Sequence, residues 1–391
     1  MSTSIYLDHN ATAPVFPEVA EAVREASLRY QGNPSSQHAA GRLARKALED
    51  AREQIGARLG AHMGGQHADR VLFTSGGTEA NNLALMGLWG AAPTGPTGPP
   101  AGHLITTPIE HVSVTEAAAW LARHGTQVDY LPVDSQGRVT ADALEELLQG
   151  HTRLVSVVMA NSETGVVQPI RELVAARGDH PARFHTDAVQ AVGKIPVSFR
   201  HLGVDALTCT AHKFHGPLGV GVLVLRADVE VTGLLVGGSQ QQGLRPGTEM
   251  VALAVGMLTA LDMVQQQSES ARQRVAALRD RLQQRIVSEC PEAVVIGGDA
   301  DRLPNTLNVA FPGIDRQALL MALDLEGIAC SAGSACASGS SELSPTHRAM
   351  GLSQVVARGA IRLSLGIGSE AVQIDHAAER ILKSCKHLRH Q

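Results

Sequence analysis

Apolar positions along this chain recur with two different periods. PEVAEAVREASLRY (17–30) and HAAGRLARKALEDAREQIGARLG (38–60) carry them at helical spacing, on a background rich in Ala, Leu, Arg and Glu. Beyond residue 70, short β-branched runs alternate with helical patterns. VLFT (71–74) precedes TEANNLALMGLWG (78–90), HLITT (103–107) precedes VSVTEAAAWLARHG (112–125), and LVSVVMA (154–160) precedes PIRELVAARG (169–178). RFHTDA (183–188), DALTCTA (205–211) and GVGVLVLR (219–226) are further strand-like runs. This alternation predicts an α/β fold whose mostly parallel sheet is covered by helices on both faces. One long helix is expected from about Val251 to Glu289. The pattern then shifts to a smaller α+β unit: VVIGG (294–298), TLNVAF (306–311), a helix near 315–326, IRLSL (361–365) and a terminal helix. The predicted division is a large domain over 16–261 and a small domain made of 1–15 and 262–391, the N-terminal segment returning to the second.

Composition narrows the class. A chain of 391 residues, 44% of them hydrophobic, can bury a large core. A net charge of -5 gives no nucleic-acid footprint. The apolar runs fall short of a membrane span, and MSTSIYLDHN lacks the basic-then-apolar order of a secretory signal. Five cysteines are sparse and odd in number, which points to free thiols in a reducing compartment, the cytoplasm. APTGPTGPPAG (92–102) reads as a surface loop, with too few Gly-Pro triplets for a collagen helix.

Several short stretches carry candidate chemistry. TSGGTEANN (74–82) joins a strand to a helix start, where glycines let the backbone approach a ligand and free N–H groups suit a phosphate; an ordinary turn is the alternative. In HTDAVQ (185–190), Asp187 closes a strand, either as a buried acid needing a partner or as a helix N-cap. In TAHKFHGPLGVG (210–221), Lys213 follows a strand between apolar flanks, where desolvation would turn its amine into a nucleophile toward carbonyls. His212 and His215 have metal-like spacing but no third ligand evident nearby, so no metal is expected. His111 sits at a turn after a strand, and Arg362 lies inside an apolar strand, where it pairs internally or takes a substrate carboxylate. A lysine, an acid, a Gly/Thr turn and a histidine are together the requirements of pyridoxal 5'-phosphate. CSAGSACASGSSELSP (330–345) is a Gly/Ser/Ala loop that holds Cys336 where a thiol can move. Cys330 reads as a small buried residue with a resolving role as the alternative, and Cys209, Cys290 and Cys385 read as structural.

YLDHNATAP (6–14), GNPSSQHAAG (32–41), FTSGGTEANN (73–82), EHVSV (110–114), NSETGVVQPI (161–170), HTDAVQAVGKIPV (185–197), HKFHGPLGVG (212–221), GLRPGTE (243–249), LPNTLNVAFPG (303–313), SAGSACASGS (331–340) and IRLSLG (361–366) occur in that order. The chain thereby resembles the cysteine desulfurases of the nitrogen-fixation and iron–sulfur-assembly type, in the class V aminotransferase family of fold-type I. The resemblance implies a seven-stranded-type sheet in the large domain and a homodimer. It implies pyridoxal 5'-phosphate as cofactor, L-cysteine as substrate and a sulfur-acceptor protein as partner, either an iron–sulfur scaffold or a thiolation enzyme. It makes Lys213 the Schiff-base lysine, with Asp187 on the pyridine nitrogen, Gln190 on the phenolic oxygen and His111 stacked on the ring. Gly77, Thr78, Thr210 and His212 would cradle the phosphate, Thr248 would reach the phosphate of a neighbouring subunit, and Asn161 would lie near the substrate. Asn33 and Arg362 would bind the substrate carboxylate, and Cys336 would accept the sulfur as a persulfide while alanine leaves. Leu218, Ser162 and Met250 depart from the family's common lysine, asparagine and asparagine. A selenocysteine lyase, another aminotransferase-like enzyme and an inactive scaffold are the competing readings, and Cys336, Lys213 and Asp187 discriminate among them.

Overall fold

The computed structural model describes residues 4–90, 102–267, 269–333 and 343–389. Strands are numbered along the chain: β1 (Ile5–Tyr6), β2 (Arg70–Thr74), β3 (His103–Thr106), β4 (Gln127–Tyr130), β5 (Thr152–Ser156), β6 (Arg183–Asp187), β7 (Ala206–Thr210), β8 (Gly221–Leu225), β9 (Val294–Val295), β10 (Thr306–Ala310), β11 (Ile328–Ala329) and β12 (Ala360–Ser364). Seven of them form one sheet in the order β2-β8-β7-β6-β5-β3-β4. The pairings from β7 to β4 are parallel, and β8 runs antiparallel to both its neighbours. β7 and β8 are buried at every residue, because helices cover both faces and no polar face is needed.

Two successive antiparallel pairings restore β2 to the direction of β7. The carboxyl ends of β2, β3, β5, β6 and β7 therefore share one rim of the sheet, the side where open α/β sheets bind ligands. β2 is an edge strand, and a side chain closes its edge. Gln241 accepts from Phe73 N–H at 2.7 Å and donates to the Phe73 carbonyl at 2.8 Å. That substitutes for the missing neighbour strand.

The other sheets are small. β10 pairs antiparallel with β12 and β9, and β1 pairs parallel with β11, Ile5 opposite Ile328. Ile5 and Leu7 pack into the same core as Leu282, Leu307, Leu363 and Ile381. The single helix expected over 251–289 is two, Val251–Gln266 and Glu269–Glu289, with Gln267 in extended geometry between them. The physical reason is that they serve different cores: Val264 packs beside the large sheet, whereas Val275, Leu278, Leu282 and Ile286 pack against β10 and β12. A boundary at 261/262 falls inside the first helix, and we propose the division at Gln267 instead. β4 and a helix over Ala141–Leu147 are additional to the expected elements. Cys336 and residues 92–101 of the Gly/Pro stretch lie outside the described residues.

Candidate active site

The rim of the large sheet opens on a cavity of about 280 Å³. Gly77 and Thr78 line it from the helix that follows β2, His111 from the turn after β3, and Asp187 and Gln190 from the end of β6. Thr210, His212 and Lys213 line it from the end of β7. Eight residues anticipated from separate stretches of sequence thus face one space.

Each is held by local chemistry. Asp187 is buried; its Oδ1 accepts from Val189 N–H at 2.9 Å and its Oδ2 from Asn81 Nδ2 at 2.7 Å. It therefore caps a turn and not a helix, since the next helix begins only at Phe199. It forms no ion pair among the described residues, and a buried carboxylate in that condition fits a protonated ring nitrogen. Lys213 donates from Nζ to the carbonyls of Asn10 at 2.7 Å and Ala11 at 2.8 Å. Burial, helped by the Arg362 charge, pushes its amine down to about 8, against the pull of Asp187 and Asp8. Burial also lowers His111, which Lys213 assists and Asp187 opposes, and pushes His212 down to about 4. Both shifts favour the neutral ring.

The end of the cavity beside Gly77 is built from backbone. Gly76 precedes the helix with no side chain capping the first turn, which leaves its N–H groups for an anion. A Cβ on Gly77 would sit 3.1 Å from Val189 Cγ2, inside the cavity wall. Thr210 Oγ1 donates to the Val220 carbonyl at 2.9 Å. His212 Nδ1 lies 3.3 Å from Thr12 Oγ1, whereas His215 Nδ1 lies 2.8 Å from the Pro14 carbonyl. The two histidines have separate partners.

Other expected residues lie elsewhere. Arg362 is buried, and its NH2 donates to Asp8 Oδ1 at 2.7 Å; its NH1 donates to the carbonyls of Ser162 at 3.0 Å and Gly333 at 2.6 Å. The internal ion pair is present; Arg362 does not itself line the cavity, but its hydrogen-bond partner Ser162 does. Asn161 does not line the cavity. Its side chain donates to the Ile109 carbonyl and accepts from Glu163 and Thr164 N–H. Asn33 and Thr248 are exposed and line a different cavity of about 350 Å³. Cys330 packs against the small core with its thiol pushed up to about 12 by burial, while Cys209, Cys290 and Cys385 are buried.

Sequence reasoning missed a polar layer behind these groups. The Asn10 carbonyl accepts from Lys213 and also from Gln190 Nε2 at 3.0 Å. Lys194, half-buried, donates to Asn10 Oδ1 at 3.0 Å and Gln190 Oε1 at 2.7 Å, and desolvation carries its amine well below the usual lysine value. Glu110 is buried, and burial pushes its carboxyl up to about 8. Asn10, Lys194 and Glu110 all stand within motifs quoted above. No periodicity marks a polar residue as buried, so nothing but motif membership could have flagged them.

A model of the family described as aminotransferase class-V matches residues 5–376. The chain belongs to that family. The chain is 42% identical over 385 residues to a protein named cysteine desulfurase from Nostoc sp., covering 98% of this chain and 94% of that one. It is 40% identical to a cysteine desulfurase NifS from Azotobacter vinelandii, at 98% and 93% coverage. Among solved structures, a NifS-like protein from Rickettsia africae superposes with a TM-score of 0.86 at 30% identity, covering 97% of this chain and 99% of that one. Class-V aminotransferases of this kind depend on pyridoxal 5'-phosphate. The cavity fits that group: an unpaired buried acid, an amine of lowered pKa and uncapped helix N–H groups stand on its walls.

Proposed function

We propose that this protein is a pyridoxal 5'-phosphate-dependent cysteine desulfurase that takes the sulfur of L-cysteine onto Cys336 and releases L-alanine. The observation that carries the reading is a single cavity walled by Lys213, Asp187 and His111. When bound, pyridoxal 5'-phosphate supplies a carbonyl carbon for amines and a ring that withdraws electrons from the substrate's α carbon.

Lys213 is the residue that holds the cofactor and, once free, takes the α proton of the substrate; an amine near 8 is partly neutral at physiological pH. Asp187 would hold the ring nitrogen and Gln190 the phenolic oxygen, with Gln190 oriented by Lys194 and the Asn10 carbonyl. Gly77, Thr78, Thr210 and His212 receive the phosphate. His111 would face the ring from the cavity wall and hand protons to the substrate. Arg362 binds the substrate carboxylate through its planar fork, already steadied by Asp8. Asn161 supports the substrate side of the cavity from behind. The Cys336 sulfur bonds to the substrate's sulfur as the carbon–sulfur bond breaks. A thiol becomes a persulfide, cysteine becomes alanine, and no outside oxidant is needed.

We assign the exposed Thr248 to the phosphate of a second copy in a homodimer, and place Asn33 at the same junction. The persulfide passes to an acceptor protein, an iron–sulfur scaffold or a thiolation enzyme. A cytoplasmic address is proposed; among the described residues no helix is long and apolar enough to cross a membrane. Purified protein given L-cysteine is expected to release alanine, and Lys213→Ala to release none. Wild type that binds the cofactor but yields no alanine would overturn the reading.

A further inference from the structure

His111 and Asp187 reach the cavity from different segments, yet one hydrogen-bonded chain joins them through Asn81, which also lines the cavity, and Ser113. Asn81 Nδ2 donates to Asp187 Oδ2 at 2.7 Å and to Ser113 Oγ at 2.9 Å. Ser113 Oγ lies 2.7 Å from His111 Nδ1. Asn81 and Ser113 are both buried.

The direction of every proton in this chain follows from chemistry. A carboxylate only accepts, so the Asn81 amide nitrogen must face Asp187. Its second proton goes to Ser113 Oγ, and the Ser113 hydroxyl proton is then left for His111 Nδ1. The backbone agrees independently. His111 is the N-cap of the helix Val112–Arg123, and its Nδ1 accepts from Ser113 N–H at 3.2 Å. A proton on Nδ1 would face that N–H donor. The helix terminus also disfavours a second ring proton.

We propose that Asn81 and Ser113 are positioning residues that fix His111 as the tautomer protonated on Nε2, with Nδ1 committed to the helix and Nε2 left for the cavity. On the proposed desulfurase reading, His111 therefore enters the cycle as a proton donor, and its donor state is tied to the carboxylate that holds the ring nitrogen. The charged groups that act on the imidazole are Asp187 from β6 and Lys213 from the turn after β7, and the titratable Glu110 beside it in sequence is bonded instead to Thr107 and Val158 N–H. None of them contacts Nδ1, so the assignment rests on Asn81, Ser113 and the helix.

The test reads the ring nitrogens directly. Full-length protein, as purified and after cofactor removal, is labelled with ¹⁵N in its histidine rings. His111 is assigned by the signals lost in His111→Gln. Wild type should show an unprotonated Nδ1 and a protonated Nε2. Ser113→Ala removes one hydrogen bond to Nδ1 and should shift the tautomer ratio toward Nδ1–H by about fivefold. Asn81→Leu should shift it in the same direction, because the Ser113 hydroxyl is no longer held as a donor. Ser113→Thr, which keeps the hydroxyl, should restore the wild-type signals. A wild-type ring protonated on Nδ1, or Ser113→Ala signals identical to wild type, overturns the proposal. No substrate is present, so a protein without desulfurase activity still returns the answer.

Discussion

The amine of Lys213 offers a quantitative test of how the cavity prepares its chemistry. Burial and the Arg362 charge bring it from 10.5 to about 8. That fall corresponds to about 3 kcal/mol against the ammonium form. The perturbation is pH, and the assay is competitive acetylation of cofactor-free protein by acetic anhydride, read by mass on the peptide carrying Lys213. Only the neutral amine reacts. With a midpoint near 8, the labelling rate should rise about tenfold from pH 7 to pH 9 and then level off. An ordinary lysine would instead rise about a hundredfold over that interval and keep rising. The sign is fixed by the causes: Arg362 opposes the ammonium, whereas Asp187 and Asp8 favour it. Arg362→Gln should therefore move the midpoint upward. A hundredfold rise in wild type, or a midpoint unmoved by Arg362→Gln, would refute the reasoning.

Two further outcomes follow from buried acids. The Glu110 carboxyl is raised from 4.5 to about 8, so the folded protein binds more protons than the unfolded chain in that window and stability falls as pH rises through it. Glu110→Gln should flatten that fall in urea midpoints measured from pH 5 to pH 8, and an unchanged slope contradicts the assignment. Asp205 is buried, accepts from Phe184 N–H at 2.8 Å and pairs with Arg177 at 2.8 Å. Asp205→Ala should destabilise the protein by about 3 kcal/mol in denaturant unfolding, since it strands a partly buried guanidinium and an N–H; a loss below about 1 kcal/mol would contradict that.

The sequence announced the front of the site better than its back. Lys213, Asp187 and His111 sit at strand ends, where a change from β-branched to turn residues is visible, and parallel topology brings strand ends together without side-chain detail. The bridge through Asn81 and Ser113 was invisible. It spans two segments joined only by packing, and an Asn on a helix or a Ser after an N-cap reads as ordinary polar surface. β4, with its sequence QVDY, was missed because it is a partly exposed edge strand without an apolar run. The helix over 251–289 was read as continuous because Gln is a good helix former. Only the presence of two separate cores requires the break at Gln267. Motif membership assigns Asn33 to the substrate carboxylate and Thr248 to the phosphate of a second copy, and in one copy of the chain both line another cavity.

The most direct test of the central claim is where the sulfur of L-cysteine goes. Cofactor-loaded protein is given one equivalent of L-cysteine, quenched with an alkylating reagent and digested, and the peptide containing Cys336 is weighed. One added sulfur atom on Cys336, formed together with alanine, and neither product in Cys336→Ser, is the predicted result. Alanine released at wild-type rate by Cys336→Ser, or the added sulfur on Cys330 with Cys336 unmodified, would contradict it.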